Sequence, residues 1–186
     1  PLYELKMKHL LLFVILIYIL AGCNASNKSI SQQSNLSIDF TYNDVFTTCF
    51  SIAFSQSDTA FIRQHFARPS SDSLKKNTSY YIILTKSDKN KLDSFIMNIP
   101  IQSLDTLYFQ EYQDGVDYQF HFQNDSISKS IRVHSDNAPS ALTNFRNWIL
   151  DLKNQYKFYQ IDTILYFESA KYVLPPPAPP PEIFEN

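Results

Sequence analysis

The chain has 186 residues, 44% of them hydrophobic, with 12 Tyr, 15 Phe and a net charge of -2. That length and apolar content suit one packed domain with extensions, exclude wholesale disorder, and leave no basic footprint for nucleic acid. With only Gly22 and Gly115, and only Cys23 and Cys49, the chain has no dinucleotide fingerprint, phosphate-cradling loop, nucleophile elbow or CxxC pair.

The first segment reads as a leader. Met7 is taken as its start, with residues 1–6 upstream, and Lys8 and His9 give it a short positive end. Residues 10–20 are an unbroken apolar run, too short for the ~20 residues of a spanning helix and within the ~7–15 of a secretory core. The run ends in Leu20-Ala21-Gly22-Cys23. This tetrad resembles the lipobox of bacterial lipoproteins, with small residues before the cut and a thiol after it. An ordinary signal peptide with a coincidental cysteine is the alternative.

The resemblance implies a signal peptide over residues 1–22 and a diacylglycerol on the Cys23 sulfur, followed by acylation of the new amine. Each buried CH₂ contributes roughly 0.8 kcal/mol, so such chains would hold the protein on a bilayer. Asn24, where Asp would stand in an inner-membrane retention signal, implies the outer membrane, with the domain facing the periplasm. Loss of Lys6, Lys8 and Glu4 with the leader makes the mature chain one unit more negative. The lipid, and not a basic surface, is therefore expected to do the anchoring.

Residues 23–35 read as a flexible Ser/Asn/Gln tether, residues 36–172 as one folded domain, and residues 173–186 as a proline-rich tail with a polyproline II stretch. Within the domain, residues 36–40 alternate as a strand. Phe46, Thr48, Phe50, Ile52 and Phe54 share one face of the next. Gln56-Ser57-Asp58 turns the chain, and residues 59–66 return with Ile62 opposite Ile52. Residues 68–79 are polar loop. Residues 79–84, apolar throughout their middle, are expected as a central strand. Ser87 is expected to cap a helix over 88–99 with Leu92, Phe95, Ile96 and Ile99 on one stripe, ended by Pro100.

Residues 101–112 are ambiguous, and Asp114-Gly115 is a turn. Tyr118, Phe120 and Phe122 line a strand, Asn124-Asp125 turns it, and Ile131 and Val133 return on the same face. Pro139 opens a second helix whose stripe is Leu142, Phe145, Trp148, Ile149, Leu152 and Tyr156. Residues 158–167 are expected as a last strand. The implied fold is α+β, an antiparallel sheet with two helices packed on one face. This order and spacing also resemble small secreted bacterial lipoprotein domains of unknown function, a resemblance of pattern that implies no activity.

Several side chains could carry chemistry. The first hairpin register places Cys49 opposite His65, raw material for a thiolate nucleophile. With Cys23 lipidated, Cys49 is a lone thiol, expected to be shielded by burial. The second hairpin places Asp117 opposite His134, with Gln119, His121 and Arg132 on the same face. Asp117, His121 and His134 could hold a transition metal, although a solvated polar face explains them as simply. Glu111, Asp114 and Asp117 cluster around a turn, where carboxylates also serve local hydrogen bonding. Asp58-Thr59, Asp72-Ser73, Asp105-Thr106, Asp125-Ser126 and Asp162-Thr163, each followed by Ala, Leu or Ile, resemble O-glycan acceptors of some exported Gram-negative proteins.

No catalytic site and no cofactor is assigned. The function expected is a lipid-anchored envelope protein that binds or scaffolds an envelope protein or cell-wall component, through the sheet face or the proline tail. The alternative is an envelope-polymer hydrolase using carboxylates or the Cys49/His65 pair.

Overall fold

A computed structural model describes residues 35–44, 48–65, 78–111 and 115–174. The leader, Cys23, the tether up to Ser34, Phe46, residues 66–77 with Asp72-Ser73, Asp114 and residues 175–186 lie outside the described residues. Strand alternation organises the rest: β1 (Ser37–Asn43), β2 (Cys49–Phe54), β3 (Thr59–Gln64), β4 (Ser79–Ile83), β5 (Leu107–Phe109), β6 (Asp117–Gln123), β7 (Ser128–His134) and β8 (Tyr159–Ile161). They form one eight-stranded sheet in the order β5-β7-β6-β1-β2-β3-β4-β8. Helices α1 (Lys86–Asn98) and α2 (Ser140–Gln155) complete an α+β fold.

The two expected hairpins form with Ile52 against Ile62 and Phe120 against Ile131. Phe40 then pairs with Ile52 on one side and Phe120 on the other, so the apolar faces of four strands merge. The helices seal this face. Phe145 stacks on Phe120 at 5.2 Å, Trp148 packs on Phe54 at 5.9 Å, and Phe95 of α1 stacks on Phe145 at 5.0 Å. Leu142, Phe145, Trp148, Ile149 and Leu152 are all buried, the stripe that helical spacing specifies. Burying such an aliphatic or aromatic side chain stabilises by roughly 1.5–3 kcal/mol.

Four local expectations are corrected. The sheet is mixed, because β5 runs parallel to β7. The chain leaves β4, crosses the sheet through α1, and reaches the far edge, where β5 adds beside β7. A three-residue strand carries too little alternation to announce itself. Next, β4 is not central but seventh of eight. Its apolar run is explained by two faces: Ile82 enters the core, while Tyr81 on the opposite face stacks on Tyr159 at 5.2 Å.

The first helix begins earlier than expected, at Lys86. Its cap is Thr85, whose hydroxyl accepts the Asp88 N–H at 3.2 Å, and not Ser87. The last strand stops at Ile161. Beyond it the chain leaves the ladder and turns back across the face that the helices do not cover.

Candidate functional site

The polar sides of β1, β2, β3, β4 and β6 follow directly from strand alternation: Asp39, Thr41, Asn43, Cys49, Ser51, Arg63, Ser79, Gln119 and His121 all point away from the aromatic core. Alternation alone makes this a solvated face. Instead, Thr41, Ser51 and Ser79 are completely buried, and Asn43, Arg63 and Gln119 nearly so. Their cover is the segment over residues 162–174, a strap lying across the sheet.

The strap is held by polar contacts. Ser79 Oγ accepts the Leu165 N–H at 3.4 Å, and the Arg63 Nη1 donates to the Leu165 carbonyl at 2.9 Å. Asp39 accepts the Glu168 N–H at 2.6 Å and also the Ser169 hydroxyl. Asn43 Nδ2 donates to the Val173 carbonyl at 3.1 Å. A 3-10 turn over Glu168–Ala170 supplies the tight bend that brings Ser169 down onto β1. A polar face buried beneath a polar strap is stable where its groups find partners there, as all but Gln119 Nε2 of the buried polar side chains named above do.

These contacts join into one chain. Asp39 accepts from Ser169, whose oxygen lies 2.7 Å from Thr41 Oγ1. Thr41 meets Ser51 at 2.6 Å, and Ser51 meets His65 Nε2 at 2.8 Å. The chain therefore runs from a carboxylate through three hydroxyls to an imidazole. Burial raises the Asp39 carboxyl above its usual value, against the hydrogen bonds from the strap, which lower it. Burial also pushes His65 down from 6.5 to about 4, with the Arg63 guanidinium adding to the effect. Near neutral pH the ring is uncharged.

Cys49 and His65 do stand side by side, with the His65 backbone N–H donating to the Cys49 carbonyl at 2.8 Å. Their electrostatics oppose an activated pair. Cys49 is 5% exposed, and burial, with Asp44 adding negative charge, pushes its thiol up to about 12. A nucleophilic cysteine needs the opposite shift and a base free to take its proton. His65 already uses Nε2 on Ser51.

Asp117, His121 and His134 share one face but are separately engaged. Asp117 takes Arg132 in a two-point ion pair, Nε at 3.1 Å and Nη2 at 2.5 Å, which raises the guanidinium further. His121 Nδ1 lies 2.9 Å from Ser130 Oγ, and His134 stacks on Phe109 at 5.5 Å. Among the described residues no group of three or more His, Cys, Asp or Glu side chains is placed to hold a metal ion. Glu111 is exposed, and Asp117 turns to Arg132 and not towards a second carboxylate.

Beyond the strap's edges this face stays open, at the β5–β7 side with Leu107 and Phe109 and at the β3–β4–β8 side. Phe61, Tyr81 and Tyr159 lie in one row across β3, β4 and β8. Phe61 is 41% exposed and Tyr159 44%. Lys157 Nζ sits 5.7 Å from the Tyr159 ring centre, a cation over an aromatic face.

Sequence reasoning missed Asp39, Thr41, Ser51 and Ser169. Each reads as an ordinary polar residue in a strand or connection, and nothing local announces that residues so far apart will meet. No protein-family model matches the chain, and a search of curated proteins gives no match.

Proposed function

We propose that this chain is a lipid-anchored cell-envelope protein with a non-enzymatic role, binding or scaffolding an envelope protein or cell-wall component. The anchor half of this reading is supported by Leu20-Ala21-Gly22-Cys23 directly after the apolar run. The binding half is carried by one observation: the Phe61–Tyr81–Tyr159 row of aromatics lies open beside the part of the sheet face that its own chain roofs. Solvent-facing aromatics beside a lysine offer rigid apolar contact and stacking at low entropic cost.

The hydrolase alternative has less behind it. The Cys49 thiol is held protonated, and Asp117 is neutralised by Arg132.

Two measurements test the proposal in its native host. Cys23→Ala should shift the protein from the membrane fraction to an unprocessed or soluble form, and unchanged partitioning would refute the anchor. Replacing Phe61 and Tyr159 together by Ser should abolish capture of envelope components in pull-down while the circular dichroism spectrum stays native. Undiminished capture refutes binding through the row. Deleting residues 175–186 separates the tail, since loss of capture on that deletion alone moves recognition there.

A further inference from the structure

The hydrogen bonds beneath the strap obey a strict proton count. Four contacts link Asp39, Ser169, Thr41, Ser51 and His65 in series. Each contact needs one proton, and the three hydroxyls bring three. The fourth must come from one end of the chain. An ionised Asp39 can only accept, so every hydroxyl then points towards it and His65 must carry its proton on Nε2. A protonated Asp39 donates to Ser169, every hydroxyl points the other way, and Nε2 must accept, which leaves the ring proton on Nδ1.

We propose that these five side chains form a proton relay beneath the strap, in which the ionisation of Asp39 sets which ring nitrogen of His65 carries the proton. This goes beyond the proposed envelope role and does not depend on it.

The transfer balances. A buffer acid gives a proton to His65 Nδ1. The Nε2–H bond breaks as an O–H bond forms on Ser51, whose own proton passes to Thr41. The Thr41 proton passes to Ser169, and the Ser169 proton passes to Asp39. One proton has been taken up, and it rests on the carboxyl next to the strap's 3-10 turn. The opposite tendencies of the two ends favour this resting place, since burial makes Asp39 hold a proton more tightly and His65 less tightly. The two groups titrate as a coupled pair.

The surroundings are defined among the described residues. Asp39 faces His121 from β6 and the Glu168 N–H from the strap, whose carboxylate is paired with Lys171 at 2.5 Å. His65 faces Cys49 across the hairpin and the positive Arg63 on its own strand, with Tyr166 of the strap acting on Arg63.

Nitrogen-15 NMR of the full chain labelled at histidine reads the relay, with His65 assigned from a His65→Gln variant. At neutral pH the ring should be the Nε2–H tautomer. As Asp39 titrates, the two ring-nitrogen shifts should exchange places while the ring stays neutral. Thr41→Val keeps the β-branched shape and removes the central hydroxyl, and Ser169→Ala breaks the relay at a second point. Either should abolish the exchange. An Nδ1–H ring at neutral pH, a tautomer that stays constant while Asp39 titrates, or an exchange that persists in a folded Thr41→Val or Ser169→Ala variant overturns the proposal. The wild-type titration decides it even if neither variant folds.

Discussion

Thr41 Oγ1 lies 2.7 Å from Ser169 Oγ, a contact between residues 128 positions apart. It fastens the end of the described chain to the first strand and makes the strap part of the domain. Asn43 Nδ2, bonded to the Val173 carbonyl, is a second buried fastening. Asn43→Ala should cost about 1–3 kcal/mol by leaving that carbonyl unsatisfied. Hydrogen exchange should rise in residues 165–174 and stay unchanged in α2. Uniform loss of protection across both segments would show that the strap does not open separately.

Phe145 is the hub of the helix–sheet contact, stacked on Phe120, Phe95 and Trp148. Phe145→Ala should destabilise by about 3–5 kcal/mol, the transfer loss plus the cavity left among rings that cannot collapse inward. Urea denaturation followed by Trp148 fluorescence measures this directly. A loss below about 1 kcal/mol would mean that the stack contributes little.

Tyr156, just past the end of α2, accepts the Thr85 N–H at 2.8 Å and donates to Asp88 Oδ2 at 2.5 Å. One hydroxyl thus joins the start of α1 to the end of α2. Tyr156→Phe removes both bonds while keeping the ring, and should cost about 1–2 kcal/mol. An unchanged urea midpoint would show that water replaces the hydroxyl without loss.

His65 gives stability a pH dependence of known sign. Its proton affinity falls on folding, from 6.5 to about 4. Between these values the unfolded chain binds a proton that the folded chain refuses. The contribution is whole above pH 6.5 and drains away as pH falls to 4. Asp39 acts the other way: its raised value means that acidification just above 3.8 favours the folded state. His65→Gln should therefore lose less stability than wild type between pH 6.5 and pH 4, by on the order of 2 kcal/mol. Parallel slopes in urea melts across that range would contradict a neutral, half-buried ring.

Cys49 should resist alkylation. Raising a thiol from 9.0 to about 12 lowers the thiolate fraction at pH 8 by roughly a thousandfold, and burial adds a steric barrier. Intact-mass analysis after iodoacetamide should find Cys49 unlabelled in native protein and fully labelled in urea. Prompt labelling of the native form would rule out the enclosed thiol.

Alternation and helical spacing by themselves determined the α+β class, both hairpin registers and the buried stripe of α2. Each of these depends on residues within a few positions of one another. Phe50, Ile52 and Phe54 must share a face whatever surrounds them. The pairing of Cys49 with His65 followed from the same local geometry. Their chemistry did not, because a pKa depends on what finally excludes water. Only the tertiary structure decided that residues 162–174 cross the polar face. That crossing turns Asp39, Thr41, Ser51 and His65 from solvated strand residues into a chain buried at its centre and half-buried at its ends. Tertiary packing also decided that Leu107–Phe109 pairs in parallel with β7. Local pattern encodes which side of an element is apolar, whereas the covering of a polar side depends on partners more than a hundred residues away, and those leave no periodic trace.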